Sequence, residues 1–188
     1  MSDRKNTPYL LLCMTALNAF ACDPFGTKLP SLADTSSNID IQCPGDVSSN
    51  STAAGGEVFV LGEMEISATF YGGSANYVSD LSLYSPTSVP IGTTGVTPYG
   101  HSVVLGTFTK GEKLVFKLYV QETADTWYSG SDIENSDGHI HARILQAEPG
   151  LWYGGFEDLT NIGDSDFNDI CFSISGELSL ENPMDTSQ

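Results

Sequence analysis

Apolar residues recur with a two-residue period through much of the chain after residue 57. In the stretch 113–121, Leu114, Phe116, Leu118 and Val120 alternate with a second set of residues that includes two lysines. Successive side chains of an extended strand point to opposite faces, so this pattern predicts a strand with one buried and one solvent-exposed face. No stretch of the chain shows a convincing helical period. The fold is therefore expected to be built from β-sheets.

Further strands are predicted where short apolar stretches lie between residues that favour turns. The predicted strands are 58–61, 64–71, 77–84 and 103–108, in addition to 113–121. Residues 109–112, Thr-Lys-Gly-Glu, predict a hairpin between the last two strands. About eight such strands, with turns rich in glycine and proline, indicate an all-β fold: an antiparallel β-sandwich, jelly-roll-like in its connections.

The two ends of the chain differ in composition from this central region. Arg4 and Lys5 precede an apolar run at 9–16, and Ala19-Phe20-Ala21 has the spacing of a secretory cleavage site. Residues 23–56 are rich in Ser, Thr, Asp, Gly and Pro, which is typical of a linker or an irregular arm. We expect a secreted or cell-surface protein with no transmembrane segment in the mature chain. Its expected parts are a signal peptide at 1–21, a linker at 22–56, one β-sandwich domain at 57–180 and a tail at 181–188.

The charge of the chain restricts its partners. The formal net charge is −17 at pH 7. A chain this acidic repels phosphate backbones and anionic membrane surfaces, so nucleic acid is excluded as a partner. The same repulsion opposes compaction of the chain, and bound divalent cations would relieve it. The composition therefore favours a protein that binds cations.

The cysteines leave two pairings open. Cys13 would be removed with the signal peptide, and the three others, Cys22, Cys43 and Cys171, cannot all pair within one molecule. Either Cys22 carries a lipid anchor while Cys43 and Cys171 form a disulfide, or Cys22 pairs with Cys43. In the second case Cys171, which lies in a predicted strand, would be a buried thiol.

Acidic side chains crowd into residues 156–169, where no lysine or arginine occurs. Oxygen ligands without cysteine or histidine favour Ca²⁺, because this ion takes about 6–8 oxygens in a flexible geometry whereas softer metals prefer sulfur and imidazole. The stretch therefore predicts a calcium-binding loop near the C-terminus of the domain. Its candidate ligands are Glu157, Asp158, Asp164, Asp166, Asn168 and Asp169.

This loop is not an EF-hand. Residues 164–168 repeat the Asp-x-Asp-x-Asn spacing that opens such a loop, but Asp169 stands where the glycine belongs and Ser175 where the glutamate belongs. Residues 170–175 alternate like a strand, so the expected order is strand, acidic loop, strand. The plainer alternative is a solvated acidic loop without a cation. The glycines and apolar residues within the stretch favour a folded loop around one or two ions.

Two segments of the stretch resemble the C-terminal signature of a bacterial extracellular calcium-binding family, a domain of unknown function often found in PEP-CTERM-type secreted proteins. These segments are Phe156-Glu157-Asp158-Leu159 and residues 163–169, whereas residues 160–162 depart from the glycines usual in the family. Residues 92–94, 105–108 and 111–120 are similar to the family's central hairpin, so the resemblance runs over about residues 60–178. No PEP-CTERM tail is expected here. The resemblance implies the fold, an extracellular location and calcium, but it implies no partner.

A further segment matches the family before the acidic loop. Asn135, Asp137, Gly138 and His141 agree with the pattern Asn-Pro-Asp-Gly-x-x-His, while Ser136 replaces the proline. In this resemblance Asp137 is the leading candidate for an additional calcium ligand that arrives from a distant loop.

Other chemistries are less well supported by the residues. His139 and His141 would face the same side of a strand as a zinc site, but a third ligand is missing nearby, and a structural hydrogen bond from His141 is favoured. Glycoside hydrolysis needs an acid and a base across a cleft, whereas Glu157 and Asp158 are adjacent in sequence. No nucleophile motif or phosphate-binding glycine loop occurs. The chain is therefore expected not to be an enzyme.

The function expected from the sequence is that of a calcium-binding module for adhesion, matrix or ligand binding. The partner would be an extracellular glycan or a surface protein. Trp127, Tyr128, Trp152 and Tyr153 could stack on sugars, although such aromatic residues serve equally well in a core. The alternative is a calcium-dependent extracellular hydrolase that acts on glycans.

Overall fold

The computed structural model describes Cys43 and residues 56–185. In this part of the chain, eleven strands form two antiparallel sheets, and the predicted antiparallel β-sandwich is confirmed. Several expectations lie outside the described residues: the signal peptide, its cleavage site, a lipid on Cys22, most of the linker, and residues 186–188 of the tail.

The first sheet has the spatial order β11-β1-β6-β3-β4, and β7 pairs with β6 beside this path. Its strands are β1 (Val58–Val60), β3 (Ser79–Ser85), β4 (Val89–Thr93), β6 (Lys113–Val120), β7 (Thr126–Tyr128) and β11 (Leu178–Ser179). The second sheet has the order β5-β2-β10-β9-β8. Its strands are β2 (Met64–Gly72), β5 (His101–Phe108), β8 (Ala142–Glu148), β9 (Leu151–Phe156) and β10 (Ile170–Ser175).

The core lies between the inner faces of the two sheets. The apolar set of β6 is fully buried, as its two-residue period predicts: Leu114, Phe116, Leu118 and Val120. The ring of Phe116 lies 4.9 Å from the ring of Phe172 on β10, which joins the first sheet to the second. Apolar contact between the two inner faces is what holds a sandwich together.

The hairpin predicted at residues 109–112 is wrong. Strand β5 pairs with β2 in the second sheet, whereas β6 pairs with β1, β3 and β7 in the first. The turn therefore carries the chain from one sheet to the other, and Gly111 adopts a φ of 88° within it. Both strands place an apolar face against the same core, and a short turn with glycine is compatible with either connection.

Three of the eleven strands are too short to show a period. Strands β7 and β11 have three and two residues and match no predicted strand, whereas β1, with three residues, lies within the predicted strand 58–61. The described residues also contain two 3₁₀ turns, Asp132–Glu134 and Thr160–Ile162. Within residues 56–185 no helix is long and apolar enough to cross a membrane.

Candidate metal site

The acidic loop, residues 157–169, connects two neighbouring strands of the second sheet. Phe156 at the end of β9 pairs with Ile170 at the start of β10, so the loop leaves and re-enters the sheet at the same place. Asn161 and Gly163 have positive φ angles of 61° and 43°, a conformation that these two residue types adopt more readily than most. The predicted order of strand, acidic loop and strand is confirmed.

Glu157 is the buried centre of this loop. Its side chain is 0 % exposed, and its Oε1 accepts a hydrogen bond of 2.5 Å from the backbone N–H of Phe167. Its Oε2 is buried and has no hydrogen-bond partner. A Cβ at position 163 would lie 3.0 Å from this oxygen, so Gly163 leaves the space beside it free of side-chain atoms.

Asp164 and Asp166 complete a group around Glu157. One carboxylate oxygen from each of the three residues lies within 4.8 Å of the others. Asp164 is exposed and Asp166 is half-buried, so the group runs from the protein interior to the surface. Three carboxylates this close together can hold a metal ion, because a cation supplies the positive charge that they lack.

The pKa of Glu157 reflects burial of its carboxyl group among other negatively charged side chains. Burial raises the pKa of Glu157, the Phe167 N–H lowers it, and the charges of Asp169, Asp164 and Asp166 add to the rise, so that together they bring the pKa to about 7. A carboxyl group in this state either takes up a proton near neutral pH or binds a cation. The unpartnered Oε2 makes Glu157 the strongest indication of a ligand in the loop.

Asp158 and Asp169 form a second carboxyl pair beside this group. The backbone N–H of Asp158 donates to Oδ2 of Asp169 at 2.9 Å, and the indole N–H of Trp127 donates to the Asp158 carbonyl at 2.9 Å. Asp158 is 3 % exposed, and its own Oδ2 is buried without a hydrogen-bond partner. Burial and then the charge of Asp169 raise the pKa of Asp158 to about 7, and burial also raises the pKa of Asp169.

Asn168 connects the loop to the β2–β3 segment. Its side-chain N–H donates to Oδ2 of Asp166 at 2.5 Å, and its Oδ1 accepts from the hydroxyl of Ser74. The backbone N–H of Ser74 donates to the carbonyl of Asn168 at 3.1 Å.

Cys43 and Cys171 form a disulfide with a Cα–Cα distance of 5.4 Å. Both sulfurs lie within 4 Å of the Asn168 carbonyl oxygen, that of Cys43 at 3.9 Å and that of Cys171 at 3.6 Å. Of the two pairings left open by the sequence, the structure contains the first, Cys43 with Cys171.

Asp137, also predicted as a ligand, has a carboxylate that accepts hydrogen bonds from three other residues. Its Oδ2 accepts hydrogen bonds from Nε2 of His141 at 3.0 Å and from the backbone N–H of Asn161 at 2.8 Å. Its Oδ1 accepts from the backbone N–H of His139 at 3.1 Å. Burial alone would raise the pKa of Asp137, but these hydrogen bonds outweigh it and lower the pKa. Asp137 does not belong to the group around Glu157, so its role as a calcium ligand stays a prediction.

His141 is fully buried and has partners on both ring nitrogens. Its Nδ1 lies 3.0 Å from the carbonyl of Glu157, and its ring stacks on Trp127 with centroids 3.8 Å apart. His139 and His141 join no group of metal-binding side chains in the part of the chain that is described. The predicted structural hydrogen bond of His141 is confirmed.

The sequence does not show that a positively charged side chain from another strand, Arg143, lies beside the loop. Arg143 on β8 pairs with Gly155, and its guanidinium carbon lies 4.0 Å from the centre of the Phe167 ring. In sequence this arginine is distant from the acidic residues. The only signal for its approach is the two-residue period of β8, which does not identify the neighbouring strand.

The aromatic residues considered as sugar platforms divide into two classes. Trp127 and Trp152 are 1 % and 3 % exposed, so both belong to the core. Tyr128 and Tyr153 are half-buried, and Tyr128 packs against Tyr84 with ring centroids 5.0 Å apart. Stacking of sugars on the two tryptophans is therefore incompatible with their burial.

Compared with known proteins, the chain matches no family model and no curated protein. The resemblance to the extracellular calcium-binding family thus stays a prediction. The geometry brings Glu157, Asp164 and Asp166 together as one possible metal site, pairs Asp158 with Asp169, and places Asn168 between Asp166 and Ser74.

Proposed function

We propose that this chain is a calcium-binding β-sandwich module of the secreted or cell-surface type, which binds an extracellular partner without catalysing a reaction. The observation that carries the proposal is the buried, unpartnered Oε2 of Glu157, with carboxylate oxygens of Asp164 and Asp166 within 4.8 Å. An ionised carboxylate without a counter-charge is costly to bury, and a cation removes that cost.

The chemistry of the group favours calcium among the biological cations. All its side-chain donors are oxygens, which suit hard cations, and soft ligands such as thiolate and imidazole are absent from the group. The loop is irregular and anchored at both ends by strands, and Ca²⁺ tolerates irregular geometry better than Mg²⁺ does. The exposed Asp164 gives an ion a route to the buried Glu157.

Isothermal titration of the metal-free protein with CaCl₂ tests this proposal, with MgCl₂ as the comparison. We expect heat of binding with calcium and much weaker binding with magnesium. At free calcium about 100-fold above its dissociation constant, the free energy of unfolding should rise by about 2.7 kcal/mol relative to EDTA. Equal melting temperatures in calcium and in EDTA would remove calcium from the proposal.

A groove at one end of the sandwich supports the partner-binding part of the proposal. It has a volume of about 620 Å³ and lies between the β2–β3 segment and the β4–β5 segment. None of its lining residues is charged, although the chain carries a net charge of −17. Tyr99 is 61 % exposed, and its ring lies 5.2 Å from that of Tyr71. An uncharged wall of tyrosine rings, with Asn76 and Thr97 beside them, suits a neutral oligosaccharide, which has apolar ring faces and hydroxyl groups.

The groove and the acidic loop share a wall. Gly73 lines the groove and packs so closely on the carbonyl of Asp169 that a side chain at this position would clash with the backbone. The neighbouring Ser74 is hydrogen-bonded to Asn168 through both its backbone and its hydroxyl. Calcium that orders the loop would therefore also order one side of the groove, so oligosaccharide binding should depend on calcium.

Titration with cellohexaose, xylohexaose, mannohexaose and maltohexaose, each in calcium and in EDTA, tests the groove. We expect at least one of these to bind in calcium, more weakly in EDTA, and not to Tyr99→Ala. Tyr84→Ala is the matched control, because Tyr84 is 50 % exposed and does not line the groove. If none of the four sugars binds, or if both variants lose affinity equally, oligosaccharide binding in the groove is contradicted. The outcome of the calcium titration does not depend on this result.

The burial of the two adjacent acids favours binding over the hydrolase alternative. Glu157 and Asp158 are 0 % and 3 % exposed, so a polysaccharide cannot reach either carboxyl group as a general acid or nucleophile. Incubation with the same oligosaccharides, followed by chromatography, should return them uncleaved. Calcium-dependent release of shorter sugars would support the hydrolase instead.

A further inference from the structure

Glu157 and Asp158 are adjacent, yet their side chains have different neighbours. Glu157 contacts the Phe167 N–H and lies with Asp164 and Asp166. Asp158 lies with Asp169, and it is not a member of the group around Glu157. The chain thus presents two separate buried acidic positions, one at each of two consecutive residues.

The second position has its own unpartnered oxygen. Asp158 is only 3 % exposed, and its Oδ2 has no hydrogen-bond partner. The charges that act on it are those of Asp169 and Glu122, both negative. Burying an acceptor without a partner is unfavourable, and more so when the acceptor is charged. Either a proton held between Asp158 and Asp169 or a bound cation offsets this cost.

The backbone around this pair holds it in place independently of any ion. The Asp158 N–H is bonded to Asp169, the Asp158 carbonyl to the Trp127 indole, and the Glu122 carboxylate to the Val78 N–H at 2.9 and 3.0 Å. Trp127 is itself fixed by stacking on His141. Carboxylates positioned before the ion arrives lose little conformational entropy on binding it.

We infer that Asp158 and Asp169 bind a second divalent cation, with Glu122 at its solvent side, separate from the ion at Glu157, Asp164 and Asp166. The donors are again all oxygens, so the ligand class is a hard cation such as Ca²⁺. This inference rests on the proposed function only in the choice of calcium as the ion. The two positions lie on either side of one peptide unit, and the rest of the coordination sphere would be completed by water.

Calcium stoichiometry, measured by isothermal titration on the full chain with its disulfide intact, tests the inference. We expect two ions per chain, one in Glu157→Gln, one in Asp158→Asn and none in the double variant. Glu157→Gln is the decisive variant, because it removes only the first position: one residual ion supports the second position, and none overturns it. Glu122→Gln, at an exposed residue, should weaken one of the two ions several-fold without affecting folding.

Failure of this inference differs from failure of the proposed function. A single ion that is lost in Glu157→Gln and retained in Asp158→Asn would overturn the second position and support the first. A chain that binds no calcium in any form would overturn both. If Asp158→Asn does not fold, the Glu157→Gln and Glu122→Gln titrations decide the question by themselves.

Discussion

Asp137 and Glu157 are two buried acids on either side of His141, and they differ in how they are satisfied. Asp137 accepts three hydrogen bonds, from His141, Asn161 and His139, and its pKa is lowered. Glu157 accepts one hydrogen bond from Phe167, leaves Oε2 without a partner, and has its pKa raised to about 7. Both carboxylate oxygens of Asp137 thus have hydrogen-bond donors within the protein, whereas one oxygen of Glu157 has none.

This difference separates a structural acid from a candidate ligand more sharply than sequence position does. Both residues lie in segments that resemble the same family signature, and the sequence predicts both as calcium ligands. Burial alone does not distinguish them, because the side chain of Asp137 is only 7 % exposed. The number of donors that each carboxylate receives does distinguish them.

The largest effect should come from removing the satisfied acid. Asp137→Ala leaves a buried histidine and two backbone N–H groups without their acceptor, so the free energy of unfolding should fall by about 3–5 kcal/mol in calcium and in EDTA alike. Denaturant unfolding curves measure this loss, and Asp137→Asn, which keeps one acceptor oxygen, should lose less. A variant that is nearly as stable as the parent in EDTA but gains nothing from calcium would instead identify Asp137 as a ligand.

Much of this architecture could be predicted from local sequence. The buried face of β6, the strand at Ile170–Ser175 and the crowding of acids before it all follow from alternation and composition. The partner of a strand does not follow from local sequence, and for this reason the predicted hairpin of β5 and β6 is wrong. Likewise, the sequence shows that Asp137 and Glu157 are acidic, but the donors that satisfy one of them come from residues 139, 141 and 161, and only the folded chain brings these together.

Most core substitutions destabilise a protein, but Glu157→Gln should stabilise the metal-free protein. In EDTA at pH 7.5 or above, a neutral amide avoids burying an uncompensated charge, and the pKa of about 7 corresponds to a cost on the order of 3 kcal/mol for the ionised form. The variant should therefore be more stable than the parent in EDTA, and it should lose the gain at the first calcium position. Thermal melts under both conditions measure the two effects. Lower stability of the variant in EDTA would show that Glu157 is satisfied as it stands.

The pH dependence of stability should differ between the two metal conditions. In EDTA, folded Glu157, with its pKa near 7, binds a proton at pH values where the unfolded residue, near 4.5, is still ionised. The folded state then binds more protons, so metal-free stability should rise as the pH falls from 7.5 towards 5. In calcium, acid competes with the ion for the same oxygens, so stability should fall over that range. The two curves converge in acid, and a constant gap between them would exclude the acidic loop as the calcium site.

The smallest effect should come from Asp132→Ala, the control for acidic residues outside the loop. Asp132 is exposed, and its Oδ1 accepts from the N–H of Ile133 in a short 3₁₀ turn. Loss of such a local hydrogen bond at the surface should cost within about 0.5 kcal/mol and leave calcium binding unchanged. Isothermal titration of this variant should reproduce the parent curve, and a loss of calcium would mean that the ligands lie elsewhere.

The disulfide between Cys43 and Cys171 also determines what a protease can do to this protein. The two residues are 128 positions apart, and the strands from β1 to β9 lie within the covalent ring that they close. A single backbone cut anywhere in that ring opens it without releasing a fragment. Both new ends stay attached to one molecule at Cys171, next to the carbonyl of Asn168. A nicked chain would therefore migrate as a single species until it is reduced, and the acidic loop would keep its covalent connection to the segment before the sandwich.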